Sequence, residues 1–229
     1  ILSTDIIESG ISELHVWSYE KLLNELPDKP WLIKHVASKS NKSLISQIFW
    51  QKFIFKRELL NARCDILLST DAGTFCRFEP NVVMSRDMLS FEPGEMERYG
   101  LFSFARLRLF LLKHIQISSL KTASGCIFLT EYAAKTIQNF TGRLADISVI
   151  PHGMKHSSKK PESYFTNLSF PKAKGGPLRC TYISNGDLYK HQWKVIEAIH
   201  DLRALGFDIS LQLVGGSNKY SGKLIDKAL

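Results

Sequence analysis

Apolar and polar positions along this chain come in blocks whose period switches between about two and about three and a half, so strands and helices follow one another. The pattern predicts a helix over residues 17–26, a strand over 31–36, and a long helix over 43–60 that carries Phe49, Trp50, Phe53 and Phe55. A strand over 65–69 follows, then a strand over 81–84 and a basic helical region from about residue 95 to 120. The last elements of this first part are a strand over 125–129, a helix over 131–140 and a strand over 147–150. Such alternation predicts a parallel sheet with helices on its faces, half of a doubly wound α/β protein.

Between Lys155 and Pro177 the composition shifts to Lys, Ser, Pro and Gly, which places a domain boundary near Pro161. The expected units are an N-terminal Rossmann-like domain over residues 1–160, and a linker with the beginning of a second over 161–229. The second is thin for an independent core. No internal repeat at a fixed period is evident.

The sharpest change of period lies in the second unit. Thr181-Tyr182-Ile183-Ser184-Asn185-Gly186-Asp187-Leu188-Tyr189-Lys190-His191-Gln192-Trp193 reads as a strand and a polar turn, and Val195, Ile196, Ile199 and Leu202 continue at helical spacing. A strand that turns into a helix holds phosphates well, because free backbone N–H groups and the helix dipole converge there and a cation such as Lys190 adds to both. A lysine at a helix start is slightly costly unless an anion is bound, which favours a ligand-binding role over that of a solvated lysine.

Taken with Val149-Ile150-Pro151-His152-Gly153-Met154 upstream and Ile209-Ser210-Leu211-Gln212-Leu213-Val214-Gly215-Gly216 downstream, this turn resembles the retaining glycosyltransferases of family four, which have the GT-B fold. That family's pattern is a strand ending in Ser-Arg, a Lys-Gly pair opening the next helix, and a later strand ending in Val-Gly. Ser184 and Lys190 match it, whereas Asn185 stands where arginine is usual and His191 where glycine is usual. The resemblance implies transfer of a sugar from a nucleoside diphosphate sugar to a hydroxyl acceptor, retaining and metal-independent, in glycan or glycolipid biosynthesis. It implies no cofactor besides the donor substrate. Its partners would be the nucleotide sugar and a glycan or lipid-linked acceptor, with no nucleic acid. Members also carry a glycine-rich first strand unit and a pair of donor-binding glutamates after the Val-Gly strand. Neither is found here, so the resemblance implies a chain truncated at both ends and inactive alone.

The same resemblance assigns roles to residues. Lys190 would neutralise the leaving diphosphate, assisted by Ser184, Asn185 and Gly153 on the donor side, and His152 would line an interdomain cleft. Arg86, where a histidine is common in the family, would face the sugar, and Asp71, Gly73 and Asp87 would lie on the acceptor side. Plain structural readings stand beside each. Arg86 could pair with Asp87 or Glu92, Asp71 and Gly73 suit any tight turn, and Ser184 and Asn185 are ordinary turn formers. A lone histidine such as His152 is often structural, and Gly153 suits a turn at positive φ. Thr130 is expected as an N-cap, His191 and Gln192 at or just behind the surface, and Trp193 in packing.

Charge narrows the partners only a little. The 30 Lys and Arg outnumber 22 Asp and Glu, giving +8, which favours sugar nucleotides, acidic lipid surfaces or nucleic acid. Cys64, Cys76, Cys126 and Cys180 are scattered without a CxxC pair and read as reduced thiols of a cytoplasmic protein. Residues 101–112 are apolar but interrupted by Arg106 and Arg108 and too short for the roughly 20-residue span of a bilayer. For residues 98–108, which mix bases with aromatics, a core helix with a cationic solvated face is the preferred reading, and a peripheral contact with acidic lipid at the inner face of a membrane the alternative. No signal peptide is visible, and no HExxH, GxSxG or P-loop appears, so metal hydrolysis and serine-hydrolase chemistry gain no support. Two other functions remain open. One is a nucleotide-sugar epimerase of the same fold, and the other a non-catalytic basic module for acidic glycan, lipid or nucleic acid.

Overall fold

A computed structural model describes residues 6, 9–37, 43–153, 178–216 and 219–228. The chain divides into two compact units, Ile1–His152 and Gly153–Leu229. The boundary expected near Pro161 lies outside the described residues.

The first unit opens with β1 (Leu14–Ser18), α1 (Glu20–Glu25) and β2 (Leu32–Val36). The strands pair in parallel, from Leu14 opposite Leu32 to Ser18 opposite Val36. The expected helix over 17–26 is corrected at its start, because Trp17 belongs to β1 and the helix begins at Glu20. The reason is the period-two pattern that Leu14-His15-Val16-Trp17 contains: Leu14 and Val16 pack with Ile6, Trp31 and Leu32, while Trp17 packs with Leu59, Leu67, Cys76 and Phe78.

The long helix expected over 43–60 forms as α2 (Leu44–Phe49), a π-helical stretch (Trp50–Ile54) and α3 (Phe55–Asn61). The Ser43 hydroxyl caps its start, accepting from the N–H of Ser46 at 3.1 Å. The widened turn lets Gln51 accept from the N–H of Phe75 at 3.0 Å and the Trp50 indole donate to Glu58 at 3.2 Å, which fixes the segment after β3.

That strand, β3 (Leu67–Ser69), edges a four-stranded parallel sheet with β4 (Asn81–Ser85), β5 (Gly125–Phe128) and β6 (Ile147–Val149), in the order β3-β4-β5-β6. The crossovers are α4 (Phe104–Lys121) and α5 (Glu131–Thr141), capped by Ser103 and, as expected, by Thr130, whose hydroxyl accepts from the N–H of Ala133 at 3.1 Å. Val83, Phe128 and Ile137 are wholly enclosed, with Phe91, Leu120 and Cys126 around them. Burying one such side chain contributes about 1.5–3 kcal/mol. At the start of β4, buried Asn81 accepts from the N–H of Ser124 while its own N–H donates to the Ser124 hydroxyl.

One expectation for α4 is corrected. Its solvent face carries the expected cation in exposed Arg108, but is mainly apolar, with Phe104, Leu107, Phe110 and Leu111 exposed and Arg106 half-buried. Its inner face already fills the core through Leu109 and Leu120, so the helix is hydrophobic on both sides. Among the described residues no helix is long and apolar enough to cross a membrane.

The second unit contains β7 (Leu178–Ile183), a 3₁₀ turn (Leu188–Lys190), α6 (Gln192–Ala204), β8 (Ile209–Val214) and α7 (Lys219–Ala228). β7 and β8 run parallel, from Leu178 opposite Ile209 to Ile183 opposite Val214. Burial alternates along both strands, as in a sheet covered on one face, and Trp193 and Ile196 of α6 are buried. The protein is thus mixed α/β, with every described strand pair parallel, as the alternating pattern predicts.

Candidate functional site

The β7–α6 junction is built from three stretches of chain that hold one another. After β7 the N–H of Ser184 donates to the carbonyl of Val214 at 3.0 Å, and the N–H of Gly186 donates to the carbonyl of Gly216. The carbonyl of buried Gly186 accepts from the hydroxyl of Ser221 in α7. Gly215 sits at φ +138 with its α-carbon against the Ser184 carbonyl, leaving no room for a side chain. The Val-Gly ending of β8 is therefore required by the close approach of two strand ends.

Ser184 has its hydroxyl engaged on both sides. It donates to the Asn185 carbonyl at 3.1 Å and accepts from the Gln192 amide at 3.1 Å. Gln192 also donates to the Ser184 carbonyl at 3.2 Å and is buried, so of the two places expected for it, at the surface or behind the residues of the turn, it takes the second. Ser184 and Gln192 thus clamp the turn to the start of α6, while the Asn185 side chain is exposed beside them. Trp193 packs, as expected.

Lys190 does not open the helix, as the sequence reading has it, but closes the 3₁₀ turn before it. His191 intervenes in the left-handed conformation at φ 53, the geometry that glycine adopts most readily. That is the position at which the resembled family has glycine. The Lys190 carbonyl accepts from the Tyr182 hydroxyl at 2.7 Å, which anchors the turn to β7. Its ammonium lies 4.8 Å from the centre of the Tyr189 ring and forms no ion pair among the described residues. Beyond His191, the N–H groups of Gln192 and Trp193 have no acceptor one turn earlier within the helix. A half-buried cation and a helix start thus share one turn, an arrangement suited to an anion.

In the first unit, parallel strands bring Asp71, Gly73, Arg86, Asp87 and His152 to the segments that follow the strand ends of one sheet, the edge at which α/β proteins bind ligands. Asp71 accepts from the N–H of Gly73 at 2.6 Å and Asp87 from the N–H of Leu89 at 2.8 Å. Both carboxylates are thereby shaping their own turns. Arg86 is exposed and pairs with neither Asp87 nor Glu92, which instead accepts from the Tyr132 hydroxyl at 2.8 Å. That contact with Glu92 raises the Tyr132 hydroxyl above its ordinary range. His152 is exposed at the end of this unit, and Gly153 opens the next without the positive φ expected of it.

A cluster that the sequence pattern missed lies on β1 and β2. The rings of His15, His35 and Trp17 stack, with 4.2 Å between the Trp17 and His35 centres, and Phe55 meets Trp17 edge-on. His15 Nδ1 is 2.9 Å from His35 Nε2, and His15 Nε2 is 3.2 Å from Glu13. Donation from His35 Nε2 to His15 Nδ1, and from His15 Nε2 to Glu13, satisfies both contacts with neutral rings. Burial, and then the neighbouring His15, lowers the His35 pKa, while Glu58 opposes them weakly. The only sequence signal was the spacing of two between His15 and Trp17, which becomes informative once β1 is recognised as a strand.

All four cysteines are free thiols. Burial raises Cys76 and pushes Cys126 up to about 11, and burial with the nearby acids Asp65 and Glu13 raises Cys64. These three are poor nucleophiles at neutral pH. Among the described residues no group of three or more His, Cys, Asp or Glu could hold a metal ion. Compared with models of known protein families and with curated proteins, the chain matches none.

Proposed function

We propose that the β7–α6 turn binds the diphosphate of a nucleoside diphosphate sugar, and that the chain is part of a retaining glycosyltransferase of GT-B type. The observation that carries this reading is the left-handed His191 directly after Lys190, at the place where the family it resembles has a Lys-Gly pair. Lys190 then offers its ammonium to the departing diphosphate together with the first N–H groups of α6. The growing negative charge is offset by groups already in place, without a metal. Asn185, exposed on the turn, is the nearer candidate for a ribose or phosphate contact, since the Ser184 proton is already donated to its carbonyl. In the first unit, by itself, Arg86 is exposed and forms no ion pair among the described residues, which leaves its guanidinium able to meet an acceptor hydroxyl, and His152 is exposed as well.

Titration calorimetry of the full chain against a panel of nucleoside diphosphates tests this. At least one is expected to bind, and Lys190→Ala is expected to weaken that binding by about tenfold or more, the loss of a charged hydrogen bond. Equal affinity in the variant would remove Lys190 from the site, and no binding by any nucleoside diphosphate would remove the reading.

A further inference from the structure

We propose that the outer face of α4, with the Leu101–Phe102 turn ahead of it, docks on the surface of an anionic lipid bilayer. Phe102 is fully exposed, and Phe104 (79%), Leu107 (55%), Phe110 (51%) and Leu111 (52%) continue the apolar surface along one side of the helix. Positions 104, 107 and 111 lie one above another at helical spacing, so the patch is continuous. The inner side of the same helix is already buried in the core through Leu109 and Leu120. Among the described residues, internal packing therefore leaves the outer apolar face uncovered.

Charge selects the occupant. No Asp or Glu occurs in α4, whereas Arg108 and Lys121 are exposed on it and Arg106 is half-buried beside the patch; Lys113 is turned inward over the Phe91 and Phe140 rings. Arg108 is exposed between Phe104 and Leu111, where its stem can lie on apolar surface and its head reach a phosphate. The acids just before the helix are partly engaged: Glu92 accepts from Tyr132, Glu95 is buried against Arg98 at 2.9 Å, and Glu97 acts on Lys113. A protein partner would have to supply an apolar face and an acidic rim together. A bilayer containing anionic lipid supplies both at every point, and a helix with bases beside exposed Phe and Leu lies in its interface. No described helix can span it, so the contact is peripheral. The segment holding Arg86 and Asp87 leads from β4 into α4, so a lipid-linked acceptor would be met at that end; this last step alone rests on the glycosyltransferase reading.

The test is co-sedimentation of the full chain with vesicles of phosphatidylcholine alone and of phosphatidylcholine mixed with phosphatidylglycerol. Binding is expected only with the mixed vesicles and is expected to fall as salt rises. The pair Phe102→Ser and Phe104→Ser is expected to cut partitioning by about tenfold or more, with circular dichroism unchanged. The pair Arg106→Gln and Arg108→Gln is expected to remove the preference for phosphatidylglycerol while the chain stays folded. Equal binding by the Phe variants overturns the proposal, as does absence of binding to the mixed vesicles. So does a concentration-dependent dimer, abolished by the Phe substitutions, in a chain that ignores vesicles. Vesicle binding is read without nucleotide, so its failure is distinct from failure of the donor site.

Discussion

The α-carbon of Gly215 abuts the carbonyl of Ser184 so closely that a single methyl group there would collide with the oxygen. Its φ of +138 adds a second obstacle, since residues with a side chain rarely adopt that conformation. Gly215→Ala is therefore expected to destabilise the second unit by about 1–3 kcal/mol. Urea unfolding followed by hydrogen exchange of the β7 and β8 amides would read this, and unchanged protection would show that the two strand ends are not held together.

His191 stands in the left-handed region, where a residue with a side chain carries roughly 1–2 kcal/mol of strain and glycine little. Its ring also lies 5.2 Å from that of Trp193, a contact that partly offsets the strain. His191→Gly is expected to leave stability equal or raised by up to about 1 kcal/mol, and His191→Val to lower it by at least as much. The same unfolding measurement separates them, and a Val variant as stable as the parent would contradict the left-handed geometry.

The His15–His35 pair makes the first unit sensitive to acid. With its pKa lowered by burial and by His15, His35 stays neutral in the folded chain at pH values where the unfolded chain takes up a proton. Protons then favour the unfolded state, so stability is full above about pH 6.5 and declines as pH falls below it toward the folded pKa. His35→Gln is expected to flatten that decline. Urea midpoints compared on either side of the window would show it, and identical slopes for parent and variant would exclude His35 as the source.

The architecture was legible where the apolar period was unambiguous. Strands ending at Val36, Ser69 and Val149 and the helix of the Glu131 segment stand within a few residues of their expected places, because each period runs undisturbed between polar turns. The end of β1 was hidden because Leu22, Leu23 and Leu26 recur at helical spacing a few residues after Trp17, and only pairing with β2 assigns Trp17 to a strand. In the candidate site, Lys190 and Ser184 could be named from the turn, and Gln192 as a residue behind it, but the bond from Gln192 to Ser184 could not. The Gln192 amide reaches back across the turn to Ser184, a contact set by the left-handed step at His191, which a linear pattern does not encode. The apolar outer face of α4 was misjudged because both faces of that helix are apolar, which leaves no periodic contrast to say which one is solvated.

The bond from Ser221 to the Gly186 carbonyl also sets an order of assembly. A turn that begins at Ser184 is closed by Gly215 and Gly216 and then tied by a hydroxyl in the last described helix, so no shorter stretch of chain contains all its parts. During synthesis the segment from Leu178 to Lys190 emerges first and has to wait, its turn unfixed, until residue 221 has followed. A nascent chain halted before that residue would carry the whole recognisable motif and still lack the geometry that the motif denotes.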